Sequence, residues 1–203
     1  MSAFVEGLIA GYGIAIPVGA IAILIVNTSL QCGFRVGFAA GAGAATVDLI
    51  FATLAVVAGA AIVTILEPIA VELRLISGLV LIALAVYGIW RGLKRTNSKK
   101  DALVRCSALK TYIQFVLITF INPLTVIYFT ALILGRGSYA GMTLAYQVTF
   151  VVGAGLASLS WQTLLAGLGG LGRERLSPRF QYIAVILGNV IILALGVAIL
   201  LGN

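Results

Sequence analysis

Charged residues are missing from most of this chain, and where they are missing decides what it can fold into. None occurs from Gly7 to Phe34, from Leu75 to Trp90, from Thr111 to Gly135, from Gly137 to Gly172 or from Phe180 to Asn203. From Val36 to Leu66 there is one, Asp48. A helix needs about 20 apolar residues to cross the hydrocarbon core of a bilayer. These stretches therefore read as spans at 5–28, 37–64, 70–90, 111–134, 143–168 and 180–201. With 62% hydrophobic and 9% charged residues, 203 residues could not cover a soluble surface. Backbone in lipid must close its own hydrogen bonds, and no alternating ten-residue pattern suggests a barrel, so the spans are helices. The expected fold is an all-α integral membrane protein of six transmembrane helices.

The basic residues set an orientation. The connections after spans one, three and five carry Arg35; Arg91, Lys94, Arg95, Lys99, Lys100, Arg105 and Lys110; and Arg173, Arg175 and Arg179. The opposite side carries Arg74 and Arg136. By the positive-inside rule the basic side is cytoplasmic and both termini face outward. The net charge of +7 is then an orientation signal against anionic lipid, and no polar fold or aromatic interleaving points to nucleic acid. No basic residue precedes Arg35, so the first span is expected to stay in the protein rather than act as a signal peptide. Cys32 and Cys106 fall on the basic side and are expected to be reduced thiols there. Asn27-Thr28-Ser29 fits a glycosylation pattern but is expected at a membrane border, unused.

The basic loop, 93–110, separates a first three-helix half, 1–92, from a second, 111–203. Three being odd, similar halves would have opposite orientations, as in inverted-repeat transporters. The halves echo each other: Pro17 and Pro123 in their first spans, Gly41 with Gly43 and Gly153 with Gly155 in their second, and glycine-flanked third spans, Gly78 to Gly88 and Gly188 to Gly196.

Asp48 is the foremost candidate for chemistry. An ionised carboxylate near mid-membrane costs at least a few kcal/mol, and a proton removes that cost. The alternatives are a neutral side chain hydrogen-bonded for structure, or a group that carries protons or binds a cation. Pro17 and Pro123 remove backbone donors and open their helices, leaving carbonyls that only protein or a wet cavity can satisfy. Gly19 adds flexibility beside the first break and Asn122 an amide beside the second. Thr119, Asn122 and Thr125 cluster there, and Ser158, Ser160, Trp161 and Gln162 form a polar patch in span five. Thr46, Gln114 and Asn189 are expected to face the same interior. Tyr87, Trp90 and Tyr112 read as interfacial anchors, and Glu6 as a solvated residue at the outer mouth. Gly7, Gly11, Ala15 and Gly19, and likewise Gly37, Gly41 and Ala45, form small-residue stripes suited to close helix packing. There is no histidine, the cysteines have no partners at metal-ligand spacing, and no nucleotide-binding motif occurs, so no metal and no cofactor is expected.

Ile16-Pro17-Val18-Gly19, Gly41 through Asp48, Tyr87 through Gly92, Asn122-Pro123-Leu124-Thr125, and Gly153-Ala154-Gly155 through Trp161 together resemble the LysE/RhtB family of small amino-acid exporters, nearly end to end. Where that family's first motif ends in a second proline, this chain has Ala20. The resemblance implies efflux of an amino acid or similar small metabolite by proton antiport. It also implies a bacterial inner membrane and a homodimer. It makes Asp48, Asn122 and Pro123 functional positions, with Pro17, Gly19, Thr46, Thr125, Ser160 and Trp161 completing the expected substrate and proton pathway. A passive channel and a membrane assembly protein are the alternative readings.

Overall fold

The computed structural model describes residues 2–16, 19–58, 67–95, 106–122, 125 and 143–201. Within them lie seven α-helices: α1 (Ala3–Ala15), α2 (Ala20–Cys32), α3 (Phe34–Ala58), α4 (Ala70–Arg95), α5 (Ala108–Phe120), α6 (Leu144–Arg175) and α7 (Pro178–Leu201). A short 3-10 turn, Glu67–Ile69, leads into α4. The protein is all-α, as its composition requires. Phe34–Val57, Leu144–Arg175 and Arg179–Leu201 are each long and apolar enough to cross a membrane. Counted together as one span, the bent pair α1–α2 would be a fourth, and Gly78–Trp90 and Ala108–Phe120 are shorter apolar segments. Leu79, Leu117, Leu168 and Leu187 are each more than half exposed, as suits side chains solvated by lipid.

The first expected span is two helices rather than one. α1 and α2 are inclined by 77° across the break at residues 16–19. Gly19 is extended (φ −113°, ψ −179°) and caps α2, so Ala20 is the first residue of that helix. Gly33, at φ +85°, turns the chain from α2 directly into α3. That left-handed conformation carries no steric cost only for glycine. Ser107 and Thr143 cap α5 and α6, their side chains accepting from the backbone N–H of Lys110 and Tyr146. Pro178 opens α7, a position where its missing N–H costs no helical bond. The Gln181 amide donates to the carbonyls of Arg173 and Leu176, satisfying the end of α6.

Glycines determine which helices touch. A Cβ at Gly153 would lie 2.5 Å from the carbonyl oxygen of Phe4, and one at Gly11 2.8 Å from the Ala157 Cβ, so α1 lies backbone to backbone along the first half of α6. A Cβ at Gly169 would lie 2.6 Å from the Val26 carbonyl, so α2 follows the second half. α3 runs antiparallel to α6, with Gly41 against Gln162 and Gly155 against Leu49. α5 lies parallel to α3, Gly43 meeting the Tyr112 backbone and Phe51 stacking on Phe120 at 5.6 Å. α4 and α7 pair antiparallel, Gly78 against Gly196 and Gly88 against Asn189. These contacts bring the end of α2, the start of α5 and the end of α6 to one end of the bundle, where Arg35, Lys110, Arg173 and Arg175 also lie.

One expectation fails here. Cys32 and Cys106 are not free thiols but a disulfide, because helix packing brings their Cα atoms to 5.7 Å. Asn27 is buried in α2, packed against Gly188 of α7.

Candidate functional site

Asp48 lies where α3 crosses α6, buried to 6% exposure. Its Oδ2 accepts a hydrogen bond from the Ser158 hydroxyl at 2.6 Å. Ser158 is fully buried. Among the described residues no cation pairs with the carboxylate, so Ser158 is its polar anchor. The pairing comes from the small residues of the seam. Gly41 and Ala45 on α3, with Ala154 and Gly155 on α6, let the helices approach closely enough for two short side chains to meet.

On the side of Asp48 toward the end of α3 the bundle is apolar. Val47, Phe51, Ala52 and Ala55 pack with Ala154, joined by Ile14 of α1 and Val116 of α5. A second cluster of Ala3, Ala10, Val56 and Phe150 lies beyond. Near it the Tyr146 hydroxyl donates to the Glu6 carboxylate, so Glu6 is half-buried and bonded rather than a solvated end residue.

The other expected pathway residues divide. Thr46 donates to the Ala42 carbonyl at 2.8 Å, leaving its oxygen to accept from the Tyr112 hydroxyl at 2.9 Å. Tyr112 thus points into the protein against α3 rather than serving as an interfacial anchor. Thr46, two residues from Asp48, looks toward α5 while Asp48 looks toward α6. Asn122 follows the end of α5, and its side-chain amide donates to Thr125 at 3.2 Å. Pro17 and Pro123 lie outside the described residues. Ser160 does not reach Asp48. It donates to the Ala157 carbonyl and accepts from Tyr12 at 2.9 Å, on a different face of α6 from Ser158. The Trp161 indole N–H is buried without a partner, as are the Gln162 Oε1, the Ser29 Oγ, the Asn27 Nδ2 and the Thr119 Oγ1. Gln114 is exposed, and Asn189 is buried against Gly88 of α4, so neither joins the Asp48 surroundings.

The start of α2 and the end of α5 come close to one another. Ala20 and Ile21 at the start of α2, Leu81 of α4, and Ile121 and Asn122 after α5 line a void of about 10 Å³. A wider cleft of about 430 Å³, lying between α4 and α5 with Lys110 and Gln114 among its lining residues, shares Val80, Ile118 and Ile121 with it. Among the described residues no group of three or more His, Cys, Asp or Glu could hold a metal ion.

Ser158 was legible as part of a polar patch but not as the partner of Asp48. Tyr12 and Tyr112, the two hydroxyls that cross between helices at this level, had no signal beyond their helical positions.

The family model for LysE type translocators matches residues 13–203, which include Asp48, Ser158, Asn122 and the whole of α6. No curated protein and no solved structure matches the chain.

Proposed function

The chain belongs to the LysE type translocator family, and on that premise we propose that it is a secondary active exporter of an amino acid or similar small metabolite, driven by proton antiport. The observation that carries the reading is Asp48: a buried carboxylate between two membrane-crossing helices, held by one serine and paired with no cation among the described residues. A carboxylate so placed is stable with a proton and costly without one, unless its surroundings change. Alternating access supplies such a change, exposing the group first to one side and then to the other.

The packing supports the two-half architecture on which such transporters run. Span one (α1–α2) lies along span five (α6), and span four (α5) lies along span two (α3) in the same relative sense. Span three (α4) pairs with span six (α7). Exchanging the halves leaves this pattern of pairings unchanged. Gly43 and Gly153 are 110 residues apart, and each receives the backbone of the other half's first span. Asp48 and Ser158 have the same separation and bond to each other. That is the relation expected of equivalent positions on a two-fold axis. Six spans in two inverted halves put the basic end in the cytoplasm and both termini in the periplasm. The start of α2 beside Asn122 supports a cargo site there, since a helix N-terminus favours a carboxylate.

The test is efflux from proteoliposomes preloaded with a pool of labelled amino acids, with and without a pH gradient, for wild type and Asp48→Asn. Gradient-driven loss of one or a few solutes, absent in the isosteric variant, is the expected result. Efflux indifferent to the gradient would mean a passive pore. No efflux of any solute would favour an assembly protein.

A further inference from the structure

Two of the buried polar atoms that lack partners, the Ser29 Oγ and the Gln162 Oε1, lie along the seam between α3 and α6. On α6, Ser158, Gln162, Ala166, Gly169 and Arg173 recur at helical spacing and form one stripe. On α3, Asp48, Ala45, Gly41 and Gly37 form the facing stripe. The two meet antiparallel: Asp48 on Ser158, Gly41 on Gln162, and Gly37 facing Gly169 with Ser29 of α2 wedged between them. The Ser29 Oγ occupies the space a side chain at position 37 would need, and the Ser29 Cβ lies 2.5 Å from where a Cβ at position 169 would be. Ser29 is fully buried and Gln162 is 5% exposed, yet the Ser29 Oγ and the Gln162 Oε1 have no protein partner. At the basic end the stripe finishes in the exposed Arg173, whose guanidinium donates to the Gln31 carbonyl at 2.8 Å.

Buried polar atoms without protein partners are the ones that ordered water serves. The spacing suits water. Ser158 and Gln162 are four residues apart, as are Gly37 and Gly41, which is about 6 Å of helix rise. Two hydrogen bonds through one water span about the same distance. Toward the other end of α3, the described residues next to Asp48 are Phe51, Ala52, Ala55 and Val56, with Phe51 stacked on Phe120; Thr119 and the Glu6–Tyr146 pair lie farther off. Among the described residues, the immediate neighbours of Asp48 are therefore polar or glycine toward the basic end and apolar toward the other.

We propose that Ser29 and Gln162 line a hydrated access lane between α2, α3 and α6, through which protons reach Asp48 from the basic end of the bundle. The proposal rests on the reading of Asp48 as the proton carrier. A proton passes from bulk water along the lane to the carboxylate oxygen that Ser158 does not hold, and bulk water restores it. In this conformation Asp48 communicates with one side of the membrane, which is what antiport requires of each half-cycle.

In a background with Cys32→Ser and Cys106→Ser, which leaves no other cysteine in the chain, single cysteines report cleanly. Ser29→Cys, Gln162→Cys and Ala52→Cys place thiols at three buried positions, the last in the apolar cluster. Because the reactive thiolate forms only where water reaches it, 2-aminoethyl methanethiosulfonate should modify the first two at least about tenfold faster than the third. Equal rates would overturn the lane. In the efflux assay Gln162→Leu should lower gradient-driven flux by about tenfold or more, while Gln162→Asn keeps most of it. Gln162→Leu transporting like wild type would remove Gln162 from the path. If wild type itself shows no gradient-driven flux, the antiport reading fails, and the thiol rates still decide whether the lane is wet.

Discussion

Gly153→Ala is the sharpest probe of how α1 is held against α6. A Cβ at this position would lie 2.5 Å from the Phe4 carbonyl oxygen and 3.1 Å from the Leu8 nitrogen, where ordinary contact begins at 3.4 Å. Backbone cannot rotate away as a side-chain end can, so the helices must separate locally by about 0.9 Å, the difference between those distances. A gap of that size forfeits roughly a quarter to a half of the dispersion energy of each contact across it. Overpacking of this kind costs about 1–3 kcal/mol. Replacing a helical glycine by alanine returns about 0.5–1 kcal/mol, leaving a net loss of roughly 1–2 kcal/mol. For a chain of this length that lowers the melting midpoint by about 2–8 °C. The control is on the same helix: a Cβ at Gly167 meets nothing within 4 Å. Gly167→Ala should therefore melt at or slightly above wild type, by about 1–4 °C at most. Tryptophan-fluorescence melts of the purified variants in one mild detergent make the comparison. Gly153→Ala melting with Gly167→Ala, or above it, would refute the backbone-to-backbone packing of α1 on α6.

Ala20→Pro should fold and keep its stability within about 1 kcal/mol, because Ala20 is the first residue of α2, follows an extended Gly19, and occupies a position that tolerates proline. A thermal midpoint more than a few degrees below wild type would contradict the placement of that helix start. Tyr112→Phe and Thr46→Val should each destabilise by about 0.5–1.5 kcal/mol, and the double variant by less than the sum, because they remove the same hydrogen bond. Additive losses in a double-mutant cycle would mean that α3 and α5 are not joined there.

Asp48 could be found from the sequence because a charge in an apolar run needs no partner to be noticed. Ser158 could not. Ser158 and Ser160 stand two residues apart in one helix, and which of them faces Asp48 depends on a crossing point set by helices 110 residues apart. Nothing local encodes that register. The break in the first span was legible from Pro17 and Gly19, and α1 and α2 are indeed separate helices. The direction of the bend was not, because it follows from small residues on α6 rather than from the break itself. Tyr112 was misread for a related reason: aromatic residues near span ends usually sit among headgroups, but this one has a threonine within reach on the neighbouring helix. The cysteines were assigned from the compartment that the charge count implied, and their pairing emerges only once α2 and α5 start and stop at the same end.

That pairing changes what the basic loop is for. Cys32 ends α2 and Cys106 lies just before α5, so the bond is a covalent bridge between those helices that bypasses residues 93–105. While it is intact the loop is redundant as a tether. A protease cut between Lys99 and Lys100 would then leave one molecule in two strands, parting only when a reductant opens the bridge.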